Sequence, residues 1–187
     1  MILIIDTSSA MAVIATLDGE RTEVSIPSRS ADLLSTLRRI AAEHAIEKVA
    51  VVNGPGSFTG LRVGVSFALG LAMGRRIPIV PLPTLELQAA RSDEAVTAVA
   101  DAGRGRFYFR TPGGAAGAGA PAEIPTGHQL VGRVERREPL IAASHRFKPE
   151  NELRRLVDAA ATLLEMASEV PYRSLEIQYM STFSARR

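Results

Sequence analysis

Residues Asn53–Gly64 read NGPGSFTGLRVG and hold glycines at 54, 56, 60 and 64, a proline, two hydroxyls and one arginine. The apolar run Val49-Ala-Val-Val52 precedes them and apolar residues at helical spacing follow, so the stretch reads as strand, tight loop and helix start. That context suits an anion, because the first backbone N–H groups of a helix lack partners within it and glycine admits close approach. Gly56, Ser57, Thr59, Gly60 and Arg62 are the candidate anion-binding set. The same residues suit a plain turn with Ser57 or Thr59 as N-cap. Two sharper motifs fail. A P-loop needs Lys and then Ser or Thr after its last glycine, and Leu61-Arg62 follows Gly60. A nucleophile elbow needs glycine two before its serine, and Pro55 stands two before Ser57.

Outward from the loop, Leu61–Met73 reads as a helix with Gly74 as its stop. Small residues recur along it at Gly60, Gly64 and Ala68, and again at Gly70 and Gly74. Glycine inside a helix costs about 1 kcal/mol against alanine. Their number therefore predicts close approach of another backbone, from the chain's own sheet or from a partner. Upstream, Ile2–Ile5 and residues 10–17 are apolar strands, Asp18-Gly19 is a hairpin turn, and Glu23–Ile26 is a third strand. Ser30–Ala45 places Leu33, Leu34, Leu37, Ile40 and Ala41 on one helical face, and Lys48–Val52 is the next strand. Downstream come a strand over Ile77–Pro81 and a helix capped by Thr84. This order predicts a mixed α/β layer on one sheet over residues 1–94.

A second unit, 95–187, opens with the apolar run Ala95–Ala100 and Asp101, echoing Ile2–Asp6. Arg106–Arg110 alternates as a strand. Thr111–Gly127, rich in Gly, Ala and Pro, reads as a long hairpin loop. Gln129–Val134 and Leu140–Ala143 are short strand candidates, Asn151–Ser168 is the longest helix candidate, and Ser174–Phe183 is an aperiodic tail docked on the first lobe.

The 187 residues contain no cysteine, which excludes disulfides, thiolate metal sites and a cysteine nucleophile. No apolar run approaches the roughly 18 residues of a membrane span, and Met1–Ile5 is too short for a signal peptide. Net charge is +2, and the cations are arginine apart from Lys48 and Lys148. Only Arg133–Arg137 and Arg186-Arg187 come near a nucleic-acid cluster, and acids or the chain end dilute both. His44, His128 and His145 have no metal-ligand spacing. Asp6 and Asp101 each end an apolar strand, where an acid can position Mg²⁺ or simply form a turn. Two further classes stay open: a peptidase-like or acyl-transfer enzyme using Ser57 or Thr59, and a weak nucleotide-binding module using the glycine loop, Arg62 and Asp6.

Ile4-Ile-Asp-Thr-Ser8, Gly54-Pro-Gly-Ser-Phe-Thr-Gly-Leu-Arg62 with Gly64, Pro81-Leu-Pro-Thr-Leu85, and Asp101-Ala102 with Phe107-Tyr108 resemble the TsaB (YeaZ) family. That family supplies the dimerisation subunit of the bacterial tRNA threonylcarbamoyladenosine machinery. The resemblance covers roughly residues 1–110. Two family features differ: Arg29-Ser30 stands where His-Ser is usual, and Ile177–Ser181 keeps only Tyr179 of the usual ending. The resemblance implies a two-lobed actin-like (ASKHA, ribonuclease H-like) α/β fold with a reduced second lobe. It implies a cytoplasmic protein with no catalytic or metal residues, ATP and metal belonging to partner subunits. It implies docking with a TsaD-like catalytic subunit through the helices matching Ser30–Ala45 and Leu61–Met73, with Leu33, Leu34, Leu37, Leu61, Gly64, Val65, Ala68, Leu71 and Ala72 at the contact. A homodimer in isolation, a TsaE-like ATPase and indirect contact with tRNA complete the implied partners.

Overall fold

The computed structural model describes residues 1–179. Strands β1 (Ile2–Asp6), β2 (Met11–Asp18) and β3 (Glu20–Pro27) form an antiparallel meander. Gly19 turns the β2–β3 hairpin at φ +62°, a left-handed conformation that glycine adopts without strain. Helix α1 (Asp32–Glu43) leads to β4 (Lys48–Gly54), which pairs parallel to β1. Helix α2 (Phe58–Arg75) leads to β5 (Ile79–Pro83), parallel to β4. The sheet order is β3-β2-β1-β4-β5.

Both faces of this sheet are covered, which is why β1 and β4 are apolar without alternation. Leu3 and Ile5 face α1 and α2, packing with Leu33, Leu37, Val65 and Ala68. Ile4 faces the other way, into a cluster with Val52, Leu82, Leu87, Leu156 and Ala160. That second face is closed by α3 (Thr84–Ala89) and by α5 (Leu156–Leu164), with α4 (Glu138–Ala142) lying elsewhere. The α5 helix follows residue 95, yet it packs on the first sheet. The expectation that the C-terminal helix belongs with the second unit is corrected by this burial.

The second sheet has the order β8-β7-β6-β9, from β6 (Thr97–Gly103), β7 (Arg106–Arg110), β8 (Ala116–Gly119) and β9 (Leu130–Val131). Its core joins Val99, Phe107, Ile124, Leu130 and Leu140. On its other face Ala98 and Ala100 meet Leu85 of α3, so α3 lies between the sheets. The two chain crossings between the sheets are tied by hydrogen bonds and an ion pair. The Arg91 backbone carbonyl accepts from Arg154 N at 2.8 Å, the Arg154 carbonyl accepts from Arg91 Nε at 3.0 Å, and Lys148 pairs with Glu94 at 2.9 Å.

Five element readings differ from the structure. Helix α2 starts at Phe58 and runs through Gly74, ending where Arg76 takes a left-handed φ of 56°. Thr84 sits within α3 without capping it, Pro83 preceding it. Residues 140–142 are helical, closing α4, because Glu138 and Pro139 suit a first helical turn. The glycine-rich stretch after Thr111 contains β8, whose Gly117 lies beneath the Phe109 ring, where a Cβ would stand 3.2 Å from Cζ. The helix expected over 151–168 is the shorter α5, and α2 is longer. The tail from Ser174 lies on the first sheet as far as Tyr179. Its remainder to Phe183, and Arg186-Arg187, fall outside the described residues.

Candidate functional site

The Asn53–Gly64 loop is held down by the turn after β1. Ser57 N donates to Ser8 O at 2.7 Å, and Ser8 N in turn donates to Asp6 Oδ1 at 2.9 Å. Gly56, Gly60 and Gly64 rise directly over this turn. A Cβ on Gly56 or Gly60 would run into the backbone oxygens of Ser8 and Thr7 respectively, and one on Gly64 into the Thr7 side chain. A Cβ on Gly54 would meet Gln178 O on the returning tail. The four glycines therefore serve close packing within this chain.

The anion set is not assembled as a cradle. Ser57 Oγ accepts from Gly60 N at 3.2 Å, so the cap consumes a donor that an anion would use. Arg62 lies over the Phe58 ring, its Cζ 3.8 Å from the centroid, on the outer side of α2. Thr59 is exposed, and it lines the surface beside both Arg62 and the inter-sheet cleft. Asp6 is fully buried and is not among the cleft residues, so the trio of glycine loop, Arg62 and Asp6 does not converge.

That cleft, of about 480 Å³, runs between the two sheets past Ser8, Ser57, Asp101, Tyr108, Glu135 and Tyr179. Burial pushes the Asp101 carboxyl up from its ordinary value, and the Glu135 N–H bond at 2.9 Å partly offsets this. No histidine lines the cleft among the described residues, and His145 is buried with Nε2 on Pro121 O at 2.9 Å. No three metal-ligating side chains come together among the described residues.

The docking residues implied by family resemblance divide sharply. Leu33, Leu37, Leu61, Gly64, Val65, Ala68 and Ala72 are buried in the core beneath α1 and α2 and face their own sheet. Buried this deeply, they offer little surface to another chain while the fold is intact. Leu71 packs partly on that core, and Leu34, 41 % exposed, reaches the surface. The reason is helical phase. Residues 60, 64, 68 and 72 form one row, whereas 62, 66, 70 and 74 are offset by two residues, about 200° around the helix. The second row is Arg62, Ser66, Gly70 and Gly74, all exposed. Nothing lies within 4 Å of a Cβ built on Gly70 or Gly74.

Apolar side chains also lie beside this outer row. Phe58 and Met73 are 53 % and 54 % exposed, and Val63 and Phe67 are half-buried. Phe58, Val63 and Phe67, with Leu34 of α1, frame a shallow groove of about 570 Å³. A helix apolar on every side is normally enclosed, and α2 is enclosed on one side only. The sequence contained this signal in the spacing of Ser66, Gly70 and Gly74. The inner row masked it, because both rows hold small residues.

The tail braces α2 at both ends. Tyr172 Oη donates toward Ile77 O at 2.9 Å and Ala72 O at 3.2 Å near its C-terminus. Gln178 N donates to Asn53 O at 2.7 Å, and Tyr179 packs against Phe58 at a ring separation of 5.6 Å at its start.

Residues 28–125 match the family model described as TsaD, tRNA N6-adenosine threonylcarbamoyltransferase. Over 122 residues the chain is 33% identical to the tRNA threonylcarbamoyladenosine biosynthesis protein TsaB of Haemophilus influenzae, covering 58% of this chain and 52% of that protein. The chain belongs to the TsaB/YeaZ family. It is 40% identical over 70 residues to TsaB of Bacillus subtilis, covering 36% of this chain and 31% of that one. The matched stretch thus spans about half the length of the first relative and less of the second. YeaZ from Pseudomonas aeruginosa superposes with a TM-score of 0.71 at 21% identity, covering 95% of this chain and 98% of that chain. The chain therefore shares the fold of YeaZ, an α/β fold with two mixed sheets. No described helix is long and apolar enough to cross a membrane.

Proposed function

We propose that this chain is a non-catalytic subunit that binds and activates a TsaD-like catalytic subunit for threonylcarbamoyl transfer to the adenosine beside the tRNA anticodon. The observation that carries this reading is the uncovered outer face of α2, apolar and lined with glycines that gain nothing inside their own chain. The TsaD family match and the TsaB relatives support this choice of partner. The docking residues become Leu34, Phe58, Val63, Phe67, Gly70 and Met73. ATP and metal then belong to the partner subunits, and a TsaE-like ATPase and the tRNA meet the assembled pair. The Ser57 hydroxyl engaged as a helix cap, with no histidine in its described cleft, supports a role without hydrolysis.

The test is reconstitution with the TsaD-family subunit of the source organism. The chain alone is inactive, the mixture elutes as one complex and modifies tRNA, and Gly70→Leu abolishes both the complex and the activity while folding normally. A Gly70→Leu protein that pairs and activates like wild type overturns the docking face. Hydrolase or transferase activity of the chain alone overturns the non-catalytic reading.

A further inference from the structure

A pocket of about 440 Å³ lies beside the inter-sheet cleft, between the start of β2 and the loop after β9. Ser9, Ala10 and Met11 line it from the first sheet's side, and Arg133, Val134 and Arg137 from the second's. Both arginines are half-buried, and neither has a carboxylate partner among the described residues. Each is nevertheless held. The Arg137 guanidinium stacks over the Phe147 ring, its Cζ 4.5 Å from the centroid, which leaves its N–H edge free to donate. Arg133 Nη2 donates to Ser25 Oγ of β3 at 3.4 Å. Glu135 and Glu150 also line the pocket, but both are exposed, and Glu150 is taken by Arg91. Two arginines thus face one unpaired carboxylate. Ser9 is buried, and its backbone N–H has no acceptor among the described residues.

Two guanidiniums in one pocket suit an oxyanion, since each presents a planar fork of donors matched to phosphate. The cleft shares Ser9, Ala10 and Glu135 with this pocket, and it shares Phe58, Thr59 and Val63 with the docking groove. A nucleic acid held by a partner at the groove therefore has a continuous surface of this chain leading to the arginines. Resting on the proposed function above, we propose that Arg133 and Arg137 form a phosphate site that grips the backbone of the tRNA while the partner subunit modifies it. Such a contact positions the RNA and carries no base sequence. It makes this chain a direct part of the tRNA-binding surface as well as a docking partner.

The test measures the tRNA affinity of the reconstituted complex against salt, for wild type and for Arg133→Gln, Arg137→Gln and Arg104→Gln. Arg104, exposed on the β6–β7 turn, lies outside the pocket and serves as the charge control. Each pocket variant weakens binding about fivefold at low salt and lowers the slope of log K against log salt by about 0.7–0.9, as one lost phosphate contact does. Arg104→Gln changes neither. Arg137→Lys keeps the charge and loses the planar stack, so it restores the salt slope with only part of the affinity. Complex formation with the TsaD-family subunit, read by gel filtration, and urea midpoints stay close to wild type, because neither arginine lines the docking groove. Intact complexes whose tRNA affinity and slope ignore both pocket variants, or fall equally with Arg104→Gln, overturn the phosphate site and leave the proposed function standing. Inorganic phosphate titrated into the chain alone, with the arginine Nε–H signals followed by NMR, separates the sources of phosphate. A response at Arg133 and Arg137 together with unchanged tRNA affinity in the variants assigns the pocket to a small phosphate compound and overturns the RNA contact. A wild-type chain that forms no complex with that subunit overturns the proposed function, and the tRNA contact falls with it.

Discussion

Replacing Gly64 and Gly70 by alanine changes α2 by the same single methyl group, and the two substitutions are expected to act with opposite sign. At Gly70 the new Cβ meets nothing within 4 Å, so only backbone propensity counts, a gain of about 1 kcal/mol. At Gly64 the Cβ overlaps Thr7 Oγ1 and stands 3.1 Å from Thr7 Cγ2 and 3.2 Å from Thr7 Cβ. Thr7 is fully buried, so its side chain has little room to turn aside. Overpacking of this kind costs about 1–3 kcal/mol. Less the propensity gain, Gly64→Ala destabilises by up to about 2 kcal/mol. With a urea slope of about 2 kcal/mol/M for a chain this size, the midpoints separate by about 0.5–1.5 M. Thr7→Ala should relieve the clash, because the Thr7 hydroxyl has no partner among the described residues. The double-mutant cycle then shows a favourable coupling of about 1–2 kcal/mol between the two sites. Equal midpoints for the two glycine variants, or no coupling to Thr7, would refute the assignment of inner and outer rows. Gly64→Leu, by the same reasoning, disrupts the fold before it can report on any interface.

Ser57→Ala removes the cap on Gly60 N and lowers stability by about 1 kcal/mol in urea unfolding, with Ser57→Thr largely neutral. Tyr172→Phe leaves two carbonyls at the end of α2 without the hydroxyl and costs about 1–1.5 kcal/mol by the same measurement. Asp158 accepts from Arg21 Nη1 at 2.9 Å and Arg155 Nε at 3.1 Å, and the Arg21 bond chiefly holds its carboxyl below the usual range. A depressed folded value contributes stability above the unfolded value of about 3.9 and loses it as pH falls through the folded one. Arg21→Ala should raise the Asp158 titration in carbon-detected NMR and shift acid unfolding to higher pH. An Asp158 titration unmoved by Arg21→Ala would deny the β3–α5 ion pair a role in solution.

Much of the fold was legible along the chain because its decisive signals are local. Ile2–Asp6, the Asp18-Gly19 hairpin and the period of Ser30–Ala45 each depend on residues within one element; the first two form as read, and the third gives the shorter Asp32–Glu43 with Leu34 off its buried face. The failures came where a short apolar run has no period of its own. Leu140–Ala143 could not be told from a strand until Glu138 and Pro139 were weighed as a first helical turn. Ala116–Gly119 has no strand propensity and pairs only because Phe109 covers Gly117 from the neighbouring strand.

By itself the sequence determined the element order, the family motifs and the presence of a glycine-rich loop opening an unusually small-faced helix. It could not say which side of that helix faces outward, because rows 60–72 and 62–74 are both small and α2 is apolar all round. Tertiary structure decided that by placing Thr7 and Ser8 under the inner row. Gly56, Gly60 and Gly64 are thereby committed to close packing inside the chain. The row of Arg62, Ser66, Gly70 and Gly74 is what remains for a partner, since only the sheet beneath one side of α2 breaks the symmetry between its faces.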